Sequence, residues 1–226
     1  MASATSKKRN GHSLSPSTFQ LLCALVICSI GIPIALWLGF MFYGADLISN
    51  PLLTLQLLWV LQCPTVILVF SWLRLDPDQC SYLKAAGRGV FALPLGALIS
   101  ALGAIALGAP VGFQYLWKTV HWSILLSSLT FVPAACAIGS SWKDWRCLLA
   151  CTKCNAVVDK LIGIPCYGAV IGAWLGAWPM PLDWERPWQE WPICVTFGAI
   201  GGYLFGVVVS FGIVAFGGTQ PHIKLH

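Results

Sequence analysis

The few residues of this chain that could carry out chemistry lie in polar segments between long apolar runs. Cys151 and Cys154 form a CxxC pair, a spacing that can bind a metal or form a redox disulfide. A structural zinc site takes four ligands, usually two such pairs or one pair with histidines, and no second pair occurs here. We therefore interpret Cys147, Cys151 and Cys154 as ordinary thiols in a polar loop, and we expect no metal and no cofactor.

A second polar segment, residues 179–192, concentrates charge, tryptophan and proline. Its residues Asp183 and Glu185 could form a metal or acid–base pair. A catalytic metal needs about three converging protein ligands, and the only other candidate expected on that side is His121. Tryptophan favours the headgroup layer of a membrane, and proline stiffens the backbone. We therefore predict a structured lid or docking loop, in which Arg186 can pair with Asp183 or Glu190, and we expect no catalytic residue.

The composition places the chain in a membrane. Of its 226 residues, 58% are hydrophobic and only 9% are charged, whereas a soluble domain has about 25% charged residues. A protein with so few charges cannot cover a water-exposed surface. The formal charge of +5 does not indicate nucleic-acid binding, because no basic patch is interleaved with exposed aromatic residues.

Six apolar runs are long enough to span a bilayer as helices, which takes about 20 residues each. They do not alternate as the roughly ten-residue strands of a membrane β-barrel would. The runs cover residues 19–43, 52–73, 89–109, 120–141, 161–178 and 192–216. We predict an all-α, polytopic integral membrane protein with one six-helix domain over residues 19–216. Residues 1–18, a disordered tail, and 217–226 would flank it.

The orientation follows from the distribution of lysine and arginine, which favour the cytosolic side. With six spans, eleven of these residues fall on one side and two, Lys118 and Arg186, on the other. An odd number of spans would destroy this asymmetry. We therefore predict that both termini are cytosolic and that residues 179–192 face the opposite side.

Three predicted helices carry small residues at every fourth position, which lets helix backbones approach closely in lipid. The stripes are Gly168, Gly172 and Gly176; Gly198, Gly202 and Gly206; and Gly96, Ser100, Ala104 and Gly108. Two interpretations remain open. The stripes pack against one another within the chain, or at least one of them binds a helix of a partner.

Charged residues are absent from the interior of the predicted spans, where they would mark an ion path or a proton relay. His121, Gln56 and Gln62 are the polar candidates. We expect His121 to lie at the membrane interface. This pattern argues against an ion-coupled transporter, but it leaves a role in lipid handling open.

The segment from Gly172 to Tyr203 resembles the PIG-F family, the phosphatidylinositol-glycan biosynthesis class F proteins. The resemblance rests on the run Leu-Asp-Trp-Glu-Arg-Pro-Trp at 182–188 and on the glycines around it. It implies an endoplasmic-reticulum, multi-pass membrane protein of GPI-anchor assembly. Members of this family are accessory subunits of two large multi-span ethanolamine-phosphate transferases, PIG-O and PIG-G, which act on the lumenal side. They do not supply the catalytic residues.

The resemblance and the residue pattern together favour a non-catalytic, stabilising subunit of such a transferase. The residues that we expect to bind the partner are Gly168, Gly172, Gly176, Asp183, Trp184, Glu185, Arg186, Trp188, Gly198, Gly202 and Gly206. Membrane lipids would be the other partners. One alternative is a small lipid transporter or scramblase, in which Gln56, Gln62 and His121 line a groove. Another is a small intramembrane enzyme that uses Glu185 or His121 as acid or base.

Overall fold

The structure is a computed structural model, and it describes residues 17–74, 80–138, 145–146 and 157–217. Within these ranges it contains six long helices and no strand. Their bounds are α1 Thr18–Tyr43, α2 Pro51–Trp72, α3 Tyr82–Ala106, α4 Phe113–Ala137, α5 Val157–Gly176 and α6 Ile193–Gly217. All six are long and apolar enough to cross a membrane.

The predicted fold class and number of helices are therefore confirmed. The cytosolic position of both termini and the division into domains stay predictions. Most of the two predicted tails lies outside the described residues, as do Cys147, Cys151 and Cys154.

Helices α3 and α4 begin about two turns before their predicted starts at residues 89 and 120. At α3, the Ser81 side chain caps the helix by accepting a hydrogen bond from the backbone N–H of Lys84. The apolar run alone predicts a loop before residue 89, but Lys84 and Arg88 lie on the first turns of α3. An apolar run marks only the hydrocarbon-crossing part of a helix, and the first turns of α3 and α4 extend beyond that part.

Helix α4 lies at the centre of the bundle and contacts α2, α3 and α5. In its span, 78% of the residues are buried, compared with 17% in α3. The α4 residues Leu125, Leu129 and Val132 belong to the core. Some polar side chains of α4 donate hydrogen bonds to helix backbones. Ser127 Oγ, for example, donates to Leu93 O of α3 at 2.9 Å. Ser128 and Thr130 also donate to backbone carbonyls inside the protein. Among the described residues, Trp122 Nε1 and Ser123 Oγ of the same helix are buried without a hydrogen-bond partner.

Helices α5 and α6 contact each other through their backbones. A Cβ atom on Gly176 would lie 2.5 Å from Cys194 O, and one on Gly206 would lie 2.6 Å from Pro165 Cα. A Cβ on Gly202 would overlap Gly168 O. We call this contact the glycine seam, and it consists of Gly168, Gly172, Gly176, Gly198, Gly202 and Gly206.

The structure thus shows the two main glycine stripes packed against each other within the chain. Their predicted contact with a partner is not tested and stays a prediction. The third stripe faces inward as well: a Cβ on Gly96 would be 2.7 Å from a ring carbon of Phe131 in α4, and Ser100 and Ala104 are buried. Gly108 lies beyond the end of α3 and has a φ of 100°, so it does not continue that stripe.

Candidate partner-docking surface

The segment that joins α5 to α6, residues 177–192, forms a compact docking loop. It begins with turns in which Met180 N donates to Ala177 O and Leu182 N donates to Pro179 O. A short 3₁₀ helix, Pro187–Gln189, follows before α6 starts. The glycine seam closes the base of the docking loop, because α5 and α6 already touch where the loop leaves and rejoins them.

The side-chain amide of Gln189 holds the two halves of the docking loop together. Its Nε2 donates to Pro179 O at 2.6 Å and to Leu182 O at 2.9 Å. Its Oε1 accepts a hydrogen bond from the backbone N–H of Arg186 at 2.9 Å. Gln189 is buried under the loop. Since a buried amide with satisfied donors and acceptor has one favoured position, this side chain fixes the shape of the loop.

Two side-chain contacts fasten the docking loop to the start of α4. Trp191 Nε1 donates to Thr119 Oγ1 at 2.9 Å. Lys118 Nζ lies 2.6 Å from Glu190 Oε1 in an ion pair. Glu190 therefore pairs with Lys118 of α4, and the pair with Arg186 that the sequence suggested is not formed. With three supports, the amide, the indole and the ion pair, the docking loop has a defined position on the bundle.

The tip of the docking loop points away from these supports. Asp183, Trp184, Glu185 and Arg186 are all exposed, and the Trp184 side chain is 57% exposed. The Trp184 and Trp188 rings lie 6.0 Å apart at a 60° tilt. Glu185 has a φ of 48°, a left-handed conformation that costs a non-glycine residue about 1–2 kcal/mol. A strained, exposed residue on a fixed loop is typical of a functional surface.

The structure divides the predicted partner-binding residues into two layers. Asp183, Trp184, Glu185 and Arg186 form the exposed tip, and Trp188 is half-buried beneath them. The six glycines lie below, in the glycine seam. The sequence reasoning missed the residues that hold the tip in place. They are Gln189, Lys118 and Thr119, and only the position of Gln189 inside the polar segment gave a signal.

The candidate acid–base residues Asp183, Glu185 and His121 have different surroundings in the described part of the chain. No cluster of three metal-ligating side chains occurs there. His121 lies on α4 with its ring edge-on between Trp59 and Trp117, at centroid distances of 6.0 and 6.5 Å. An aromatic cluster thus surrounds His121, while Asp183 and Glu185 are exposed at the loop tip.

The polar residues that were considered as a lipid groove have different surroundings. Gln62 is 1% exposed, and its Nε2 donates to Cys28 O of α1 at 3.1 Å. Gln56 is exposed on the outside of α2. His121 lies among aromatic rings between α2 and α4. The Gln62 side chain of α2 therefore links α2 to α1 through a hydrogen bond.

Comparison with known proteins identifies relatives along most of the chain. The model of the GPI biosynthesis protein family Pig-F matches residues 32–211. A Mus musculus protein named GPI ethanolamine phosphate transferase, stabilizing subunit, is 29% identical over 201 residues, which is 84% of this chain and 90% of the relative. The Homo sapiens protein of the same name is 39% identical over 106 residues, 47% of this chain and 48% of the relative.

A fungal relative matches a shorter segment with higher identity. The Neurospora crassa protein named glycosylphosphatidylinositol anchor biosynthesis protein 11 is 60% identical over 85 residues, 38% of this chain and 30% of the relative. No solved structure matches the chain.

Proposed function

The chain belongs to the GPI biosynthesis protein family Pig-F, and on that premise we propose that its docking loop attaches it to a GPI ethanolamine-phosphate transferase. It is a non-catalytic, stabilising subunit in GPI-anchor biosynthesis, as its relatives are named. The single observation that supports attachment through the loop is the exposed tip, 183–186, on a scaffold of buried hydrogen bonds.

The partner in this proposal is a large multi-span transferase of the PIG-O or PIG-G type in the endoplasmic-reticulum membrane. The docking loop would face the lumen, where the soluble domain of such a transferase lies. Trp184 and Arg186 have the side-chain types that dominate binding at protein interfaces. Because the loop is already ordered in the isolated chain, little conformational entropy is lost on binding.

Stabilisation of the partner then follows from simple linkage. A subunit that binds only the folded transferase lowers the free energy of the folded state relative to the unfolded one. The membrane part would contribute by packing its helices against those of the transferase, with membrane lipids filling the remaining contacts. The glycine seam supports this indirectly, since it sets the angle at which α5 and α6 present the docking loop.

The test is a mild-detergent pull-down of the tagged chain with quantification of the co-purified transferase. Truncating a central interface tryptophan typically costs 2 kcal/mol or more, which is about a 30-fold loss of affinity. We expect Trp184→Ala to reduce the recovered transferase accordingly. Trp174→Ala is the matched control, because Trp174 on α5 is 63% exposed but lies outside the loop.

Equal recovery with both variants would refute docking through the loop tip. If wild-type chain is recovered alone and still folded, a subunit role is refuted for that membrane. The alternative, a lipid transporter, then makes its own prediction. The purified chain in vesicles would move phosphatidylethanolamine between leaflets.

A further inference from the structure

We propose that a water molecule binds inside the bundle between Trp59 of α2 and His121 of α4, and that it fixes which nitrogen of His121 carries the hydrogen. The two rings contact each other, with centroids 6.0 Å apart. They lie within one turn of Lys118 and Thr119, the α4 residues that fasten the docking loop. None of the predicted partner-binding residues takes part, so this site does not depend on the proposed function.

Each of the two rings has an enclosed nitrogen without a hydrogen-bond partner. Trp59 Nε1 carries a hydrogen and can only donate, whereas His121 Nδ1 can donate or accept. Both nitrogens are buried, and neither is hydrogen-bonded to a protein atom that the structure describes. A buried polar atom without a partner loses its hydrogen bonds to water and gains none in return, so such atoms are rare in folded proteins.

The missing partner does not come from the segments that join helices at this end of the bundle. The structure describes all of these segments, which are residues 44–50, 107–112 and 177–192. The charged side chain nearest to His121 along α4 is Lys118, and it already pairs with Glu190. The protein therefore offers the two nitrogens no acceptor or donor of its own here.

The enclosure of both nitrogens limits what the partner can be. A lipid head group or a side chain of another protein would have to enter the bundle to reach them, whereas a water needs only the space between two rings. Ordinary N···O distances place the two nitrogens that one water bridges about 5 Å apart. Rings with centroids 6.0 Å apart can present two nitrogens at that separation. Since buried waters make two to four hydrogen bonds, this pair is sufficient.

The donors and acceptors then decide where His121 carries its hydrogen. The indole N–H of Trp59 donates to the water oxygen, and the water donates one O–H to His121 Nδ1. A neutral imidazole whose Nδ1 accepts a hydrogen bond carries its hydrogen on Nε2. Nε2 of His121 is not enclosed and makes no hydrogen bond to the described residues. The ring therefore presents an N–H donor at the outside of the bundle, beside the exposed ring of Trp117.

The first test replaces Trp59 by benzothienylalanine, in which a sulfur atom takes the place of the indole N–H and the ring keeps its shape. Unfolding of the purified full chain is measured in mild detergent. Loss of a hydrogen bond to water should lower the ratio of folded to unfolded protein about 2- to 10-fold. Removal of a donor that has no partner would instead leave this ratio unchanged or raise it.

Trp117 provides the matched control for this replacement. Its ring contacts the same histidine at a centroid distance of 6.5 Å, but its side chain is 63% exposed. Its N–H is therefore not enclosed, and benzothienylalanine at position 117 should leave the ratio of folded to unfolded protein unchanged.

The second test detects the water directly by NMR of the full chain with ¹⁵N-labelled tryptophan and histidine. The spectrum of Trp59→Phe identifies the indole signal of Trp59, because that signal disappears. We expect a cross-peak between the Trp59 indole proton and water. We also expect His121 to carry its hydrogen on Nε2 and none on Nδ1.

Four outcomes would overturn the proposal. Benzothienylalanine at position 59 leaves the ratio unchanged or raises it, or the same replacement at position 117 lowers the ratio equally. The Trp59 indole proton gives a cross-peak to His121 and none to water, which would show a direct hydrogen bond between the rings. His121 carries its hydrogen on Nδ1. Should the chain with benzothienylalanine at position 59 not fold, the NMR spectra of the unmodified chain decide alone.

Discussion

The glycine seam gives the sharpest prediction, because two adjacent glycines on α6 have opposite surroundings. A Cβ on Gly202 would overlap Gly168 O and lie 2.9 Å from Gly172 Cα, whereas a Cβ on Gly201 meets nothing within 4 Å. The atoms in the way at Gly202 belong to the backbone of α5 and cannot rotate aside. Gly202→Ala must therefore push the two helices apart, and Gly201→Ala need not.

The size of the effect follows from the geometry. A gap of about 0.5–1 Å forfeits a quarter to a half of the dispersion energy of each contact across it. Overpacking of this kind costs about 1–3 kcal/mol, or a roughly 5- to 150-fold lower ratio of folded to unfolded protein. Both substitutions gain the same helix propensity from alanine, so the difference between them isolates the steric term.

The measurement is thermal unfolding in mild detergent, monitored through the intrinsic fluorescence of the chain's 12 tryptophans. We expect Gly202→Ala to melt at a clearly lower temperature than wild type, and Gly201→Ala to melt at the wild-type temperature or slightly above it because alanine favours the helix. Because the seam also orients the docking loop, Gly202→Ala should lower the abundance of the transferase in cells. Identical melting of the two variants would show that the backbone contact between α5 and α6 does not stabilise the fold.

Three further predictions concern the docking loop. Gln189→Met keeps the side-chain volume but removes the hydrogen bonds inside the loop. The free energy of unfolding should therefore fall by about 1–3 kcal/mol, and proteases should cleave the loop faster. Gln114→Met, at an exposed position of α4, is the control and should change neither quantity. Glu185→Gly should raise the free energy of unfolding by about 1 kcal/mol, because glycine adopts the left-handed conformation without strain. The same substitution should reduce transferase recovery if the Glu185 side chain contacts the partner. A melting temperature below that of wild type would show that Glu185 is not strained. A double-mutant cycle with Lys118→Met and Glu190→Gln should give a coupling free energy below about 1 kcal/mol, because the ion pair is partly exposed. A larger coupling free energy that persists in high salt would show that the ion pair is shielded from solvent.

The number and type of the helices could be read from the sequence because lipid imposes a simple requirement. Each span must be apolar over a fixed length, and runs such as 19–43 satisfy it without ambiguity. The starts of α3 and α4 could not be found in the same way. The first turns of both helices carry polar and charged residues, and hydropathy alone does not distinguish a helix in the interface from a loop.

The docking loop was identified by composition, but its internal contacts were not. Glu190 pairs with Lys118, a residue 72 positions away in the sequence, whereas the sequence alone makes Arg186, four positions away, an equal candidate. Hydropathy does not show which helix packs beside the loop. The contact between α4 and the docking loop could therefore not be predicted from the sequence. The glycine stripes were visible as well, yet their mutual contact depends on the relative rotation of α5 and α6.

The glycine seam also has a consequence for how the protein is made. Helices α5 and α6 are consecutive, and the short docking loop alone separates them, so they can leave the insertion machinery as one hairpin. Until α6 emerges, the glycine face of α5 has only lipid to contact, which packs poorly against a bare backbone. A ribosome stalled before α6 would therefore release a bundle with an unfilled groove along α5, which membrane quality control could recognise before any transferase is engaged.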